Sequence, residues 1–94
     1  MHNIICKMFD VLTVKELQIT VGKWCKLLRK KEGLSQQELA EQLAVARLTI
    51  AKLENGDNVT VDTLFKVLQH FEELNSVNAF VTDKINNLNI QSLY

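Results

Sequence analysis

No proline interrupts the 94-residue chain and only three glycines do, so helices can run with few enforced breaks. No segment approaches the roughly 18 consecutive apolar residues of a membrane span. The opening "MHNIICKMFDVLTV" is apolar, yet it lacks a basic leader and a small-residue cleavage site, so a signal peptide is not expected. The only cysteines, Cys6 and Cys25, stand 19 positions apart and form neither a CxxC pair nor a metal-ligand spacing. Reduced thiols in a cytosolic protein are expected, one of them in the core. His2 and His70 have no metal partners at useful spacing, and no Ser/His/Asp or Cys/His arrangement or phosphate-cradling glycine loop is visible. An enzyme is not expected, and neither is a cofactor or a bound metal.

What remains is an ordinary globular balance, 47% hydrophobic and 23% charged, in a length suited to one domain with a modest core. The net charge of zero hides an asymmetry. Residues 21–56 hold seven basic side chains against four acidic, whereas residues 57–94 hold two against five, giving +3 and −3. A basic half suits phosphate contact and an acidic half suits solvent or a basic protein partner; scattered solvated charges are the plainer reading.

Apolar spacing predicts five helices and an all-α fold. Thr13-Val-Lys-Glu16 is a capping box, followed by a stripe of Val14, Leu17, Val21, Trp24 and Leu28. Gly22 lies inside that stripe at a propensity cost of about 1 kcal/mol, so the first helix starts either at the box or near Gly22. Arg29-Lys30-Lys31 and then Gly33 end it. Ser35-Gln-Gln-Glu38 is a second capping box, opening a helix with Leu39, Ala40 and Leu43 inward. Only Ala44-Val45-Ala46 separates this helix from a third, about residues 47–55, with Ile50 and Leu53 inward and Gly56 as its stop. Thr60 caps a fourth with Val61, Leu64, Val67, Leu68 and Phe71 on its apolar face. Ser76 caps a short fifth carrying Val77, Phe80 and Val81. The ending "INNLNIQSLY" shows no clear period and reads as a loop, with "LNIQSLY" as a candidate short strand. The expected organisation is an extension over 1–12, a helical domain over 13–81 and a tail over 82–94.

A three-residue turn between two short helices is helix-turn-helix geometry. The small side chain of Ala40 allows a close crossing that Val45, Ile50 and Leu53 plug. On a helical wheel Leu48, Ala51, Lys52 and Asn55 point away from that plug, with Arg47 on the flank. A short exposed helix with Arg47 and Lys52 is suited to a DNA groove; the plainer reading makes both residues solubility charges.

"LLRKKEGLSQQELA" and "TIAKLENG", within residues 22–71, resemble the Cro/CI-repressor-like helix-turn-helix family, also called the XRE family. The resemblance implies a five-helix lambda-repressor-like domain that binds double-stranded DNA. It also implies a phosphate contact for Gln36, base-edge contacts for Arg47, Leu48 and Lys52, a DNA contact for Thr49, and positions near the DNA backbone for Asn55 and Asn58. Arg29 and Glu54 match a family pair that ties the first helix to the end of the third. Two departures stand out: Ala44 where the family turn usually has glycine, and Ala46 where Ser or Thr usually caps the recognition helix.

"NVTVDTLFKVLQHFEELNSVNAFV" is further similar to HipB-type antitoxins, which dimerise, bind an operator and hold a HipA-type kinase toxin inactive. The implied function is an autoregulating transcriptional repressor. The alternative is a protein-interaction module that keeps the fold without specific DNA binding. A homodimer interface is expected at Val77, Phe80, Val81, Ile85 and Leu88, with Ile90, Leu93 and Tyr94 beyond them. Trp24 either packs under residues 4–12 or contacts a partner.

Overall fold

The computed structural model describes residues 11–92, with side chains to Asn89, as five α-helices and no strand. These are α1 (Val14–Lys31), α2 (Gln36–Leu43), α3 (Arg47–Glu54), α4 (Val61–His70) and α5 (Leu74–Ser92). The chain divides into two compact units, one ending at Val59 and the other starting at Thr60.

Local chemistry starts the helices. The hydroxyls of Thr13 and Ser35 accept the Glu16 and Glu38 amides at 3.0 Å, and each glutamate carboxylate accepts the cap's own amide in return. These reciprocal bonds satisfy amides that a helix start leaves bare. The bond from the cap backbone is also the main reason both carboxyls titrate below the ordinary glutamate value. Thr60 caps α4 by accepting the Thr63 amide at 3.1 Å. The N-cap of α3 is Ala46, which offers no side-chain bond.

One device ends α1 to α4. In each case an amide reaches back five residues: Leu34 to Arg29, Val45 to Ala40, Asp57 to Lys52 and Glu73 to Leu68. The residue before that amide adopts positive φ, as the Schellman turn requires. Gly33 and Gly56 fill the position in two of them, at φ 71° and 81°, whereas Ala44 and Glu72 take it at 57° and 62°. The strain expected at Ala44 is present, and Glu72 is a second instance that the sequence did not signal.

In the first unit α3 packs against both α1 and α2. Its buried residues are Ile50, Leu53 and Glu54, met by Leu39 and Ala40 of α2 and by Gly22, Cys25 and Arg29 of α1. Gly22 is therefore no helix start: α1 runs unbroken through it. A Cβ there would collide with the Leu53 carbonyl and lie 2.9 Å from that of Glu54. The missing side chain is what lets α1 and α3 approach, and that contact outweighs the propensity loss. The inward face of α1 accordingly follows 22, 25 and 29, one step off the expected stripe. Val14 and Leu17 are exposed, while Val21, Trp24 and Leu28 are half-buried. Residues 4–10, the main suggested cover for Trp24, lie outside the described residues, and Val11 and Leu12 are exposed.

In the second unit α4 buries Val67 and Leu68, with Phe71 buried just beyond it, but Val61 is exposed. Helix α4 packs on α5, whose length is the main departure from the sequence reading. The expected loop or short strand is helix through Ser92, Ser76 lies inside the helix instead of capping it, and no break occurs at 82. Asn86, Asn87 and Asn89 favour turns only weakly, and no glycine or proline falls between 74 and 92. Val77, Val81, Ile85 and Leu88 in fact continue a helical period across the supposed boundary.

Candidate nucleic-acid interface

The sequence Gln36 to Asn58 becomes a helix, a left-handed turn at Ala44, a second helix and a short loop. Buried Ala40 and Ile50 mark the crossing, with half-buried Val45 in the turn beside them. The outward residues of α3 are Arg47, Leu48 and Lys52, with Leu48 59% exposed; Thr49 and Ala51 are half-buried. Asn55 is exposed immediately after α3, and Asn58 is exposed three residues later.

A continuous hydrogen-bonded chain ties this surface to the interior. Arg29 donates through Nε to Glu54 Oε2 at 2.6 Å and through Nη2 to Oε1 at 2.9 Å, with side-chain exposures of 8% and 2%. Arg29 Nη1 also donates to the Leu34 carbonyl at 2.7 Å. The bidentate bond to Glu54 raises the guanidinium pKa, so Arg29 stays charged. Gln36 Nε2 donates to Glu54 Oε1 at 3.0 Å, and Arg47 Nη1 donates to Gln36 Oε1 at 3.2 Å. A carboxylate only accepts and a guanidinium only donates, so the orientation of the Gln36 amide is dictated by its two neighbours. Gln36, expected as a phosphate contact, thus holds Arg47 from behind; one hydrogen of its amide is left for a phosphate.

Cys25 lies in the same interior. Burial, reinforced by the charge of Glu54, pushes its thiol up to about 11, so it stays protonated and unreactive at neutral pH. Cys6 is outside the described residues.

The loop after α3 is held by residues that no local pattern singled out. Lys15 Nζ donates to the Gly56 carbonyl at 2.7 Å and to Asp57 Oδ1 at 3.3 Å, and Gln18 Nε2 donates to Asn58 Oδ1 at 2.9 Å. Ile19 lies against Gly56 so closely that a Cβ on Gly56 would come within 2.7 Å of it. The hydrogen-bonded partners are 40 to 42 residues apart, so local periodicity carried no sign of them.

The expected interface residues in the second unit present an apolar strip. Phe80, Val81, Ile85 and Leu88 are exposed, Phe80 by 64%, while Val77 is half-buried. Lys84 lies over the Phe80 ring at 5.3 Å. Among the described residues no cluster of His, Cys, Asp and Glu is arranged to hold a metal, and no helix is long and apolar enough to cross a membrane.

The helix-turn-helix family matches residues 26–73, about half of the chain. Antitoxin HipB of Escherichia coli strain K12 is 44% identical over 48 residues, covering 50% of this chain and 54% of that protein. Antitoxin HipB of Escherichia coli O6:H1 is 42% identical over 48 residues, covering 50% of this chain and 51% of the relative. The chain thus spans about half the length of the curated relatives it matches. No solved structure gives a significant match. The matched span holds the end of α1 and all of α2, α3 and α4, together with the Arg29–Glu54 pair, and on that ground the chain belongs to the helix-turn-helix family of the Cro/CI, or XRE, type, a family of DNA-binding regulators.

Proposed function

We propose that this protein is a sequence-specific transcriptional repressor that inserts α3 into the major groove of duplex DNA. The observation that carries the reading is the division of α3 into two faces. Ile50, Leu53 and Glu54 anchor one face, and the other turns Arg47, Leu48 and Lys52 outward. Arg47, steadied by Gln36, is the reader of guanine, because its forked donors match O6 and N7. Thr49 and Lys52 supply further contacts in the groove, and Asn55 and Asn58 meet the sugar–phosphate backbone.

The likeness to antitoxin HipB supports a finer reading, in which the protein is the cytoplasmic, autoregulating antitoxin of a HipA-type kinase toxin. A homodimer that spans two half-sites belongs to the same reading. A two-fold interface needs a patch that complements itself. The strip on α5 has that property about the point between residues 82 and 83: Val77 answers Leu88, Phe80 answers Ile85, and Val81 answers the alkyl stem of Lys84.

The test is binding to the DNA upstream of the protein's own gene, compared with a random duplex of equal length. Arg47→Ala is expected to reduce the preference for the upstream DNA by about 1–3 kcal/mol while leaving random-sequence binding much less affected. Gln36→Ala should weaken binding to both and reduce the preference by less. Equal loss on both duplexes for Arg47→Ala would reject the base-reading role. The exposed apolar strip also fits a protein-interaction module of the same fold, and that reading prevails if the wild type shows no preference for any DNA.

A further inference from the structure

The loop that follows α3 carries an awkward charge for a DNA-binding surface. Asp57 is exposed, it sits between Asn55 and Asn58, and it follows the C-terminal end of α3, which is itself negative through the helix dipole. A bare carboxylate there would repel the phosphates that Asn55 and Asn58 are proposed to approach. Lys15 answers both sources of negative charge with one ammonium, through its bonds to the Gly56 carbonyl and to Asp57 Oδ1. The pair is 56% and 53% exposed on its two sides, so it adds little to folding stability. Its weight lies in the local field. Gln18, on the adjoining turn of α1, engages Asn58, so α1 holds three consecutive residues of the loop at 56, 57 and 58.

We infer that Lys15, on the first turn of α1, is a positioning residue for DNA binding that acts by masking the charge of Asp57 in the loop after α3. The inference rests on the DNA-binding reading above. Lys15 acts through Asp57 and touches no phosphate itself.

Four proteins form a charge series at this site: Lys15→Ala leaves −1, the wild type and the Lys15→Ala/Asp57→Asn double variant leave zero, and Asp57→Asn leaves +1. Binding of each to the upstream fragment and to a random duplex is measured by fluorescence anisotropy at 50 mM and 500 mM salt, with thermal melting of each protein alongside. Lys15→Ala should bind both duplexes about three- to tenfold more weakly at 50 mM, the range expected for one unmasked charge several ångströms from a phosphate in a wet interface. Asp57→Asn should bind more tightly than the wild type, and the double variant should return to about the wild-type affinity. The differences should contract at 500 mM, where charges are screened within a few ångströms.

A double variant as weak as Lys15→Ala overturns the inference, because Lys15 would then contact phosphate directly or act structurally. So does a Lys15→Ala protein that binds normally, or one whose weakness tracks a large fall in melting temperature. In those outcomes the DNA-binding reading survives. A wild type that binds neither duplex at 50 mM overturns that reading, and this inference with it.

Discussion

Helix α3 has eight residues and buries Ile50, Leu53 and Glu54; helix α5 has nineteen, and none of its described side chains is fully buried. An eight-residue helix is not stable alone in water, so α3 exists through its contacts with α1 and α2. Those contacts orient its outer face closely enough to present Arg47, Leu48 and Lys52 as a set. Helix α5 has the length to form with less support, and Phe80, Val81, Ile85 and Leu88 on it are exposed. The comparison teaches that length and propensity say little about which helix is held in one orientation. Burial of the anchor residues decides that, and the short helix is the one suited to reading a groove.

The largest effect should come from breaking the anchor. Glu54→Ala strands a buried guanidinium and removes the partner of Gln36. A loss on the order of 3 kcal/mol is expected by chemical denaturation, with DNA binding falling alongside. A change no greater than that of exposed Glu41→Ala would reject the pair as a stabilising element.

Next is the approach of α1 to α3. Propensity alone says that Gly22→Ala should stabilise α1 by about 1 kcal/mol. The carbonyls of Leu53 and Glu54 leave no room for the methyl, so a net destabilisation of about 1–3 kcal/mol is expected instead. The sign of the change in unfolding midpoint settles which effect wins.

The exposed helix should respond in its assembly. Phe80→Asp is expected to leave the monomer folded, since Phe80 is largely exposed, and to halve the mass seen in sedimentation. A folded variant that remains dimeric would remove the α5 strip as the interface.

A smaller, paired test contrasts the regions directly. Ala44→Gly relieves the left-handed backbone before α3 and should stabilise by about 1 kcal/mol. Ala79→Gly in α5 meets ordinary helical backbone and should destabilise by roughly 0.5–1 kcal/mol. Equal signs would mean that Ala44 carries no strain.

The smallest effect concerns pH. Folding lowers the Glu38 pKa, so its capping contribution is present above the ordinary glutamate value and is lost as pH falls through the folded one. Glu38→Gln should flatten the acid limb of the stability curve over that window, and an unchanged limb would deny Glu38 the role.

The capping boxes at Thr13 and Ser35, the cap at Thr60 and the stops at Gly33 and Gly56 were legible because each signal spans a few residues of one segment. Ala44 was legible as a departure from a family pattern, whereas nothing marked Glu72 as left-handed. The run of asparagines obscured α5 beyond residue 82, although the spacing of Val77, Val81, Ile85 and Leu88 was there to be read. Arg29 and Glu54 were linked through the family resemblance, since 25 residues separate them and no periodic rule relates them.

By itself, then, the sequence determined the all-α class, the helix-turn-helix segment and the outward positions of Arg47, Leu48 and Lys52 on α3, because caps, turns and amphipathic periods depend on neighbours along the chain; Ala51, also expected outward, is half-buried. Only the tertiary structure decided that Gly22 is a point of close approach, that Gln36 links Glu54 to Arg47, and that Lys15 and Gln18 hold the loop after α3. Each of these joins side chains or backbone from different helices. Their chemistry exists only once packing has brought distant residues within hydrogen-bonding or van der Waals distance.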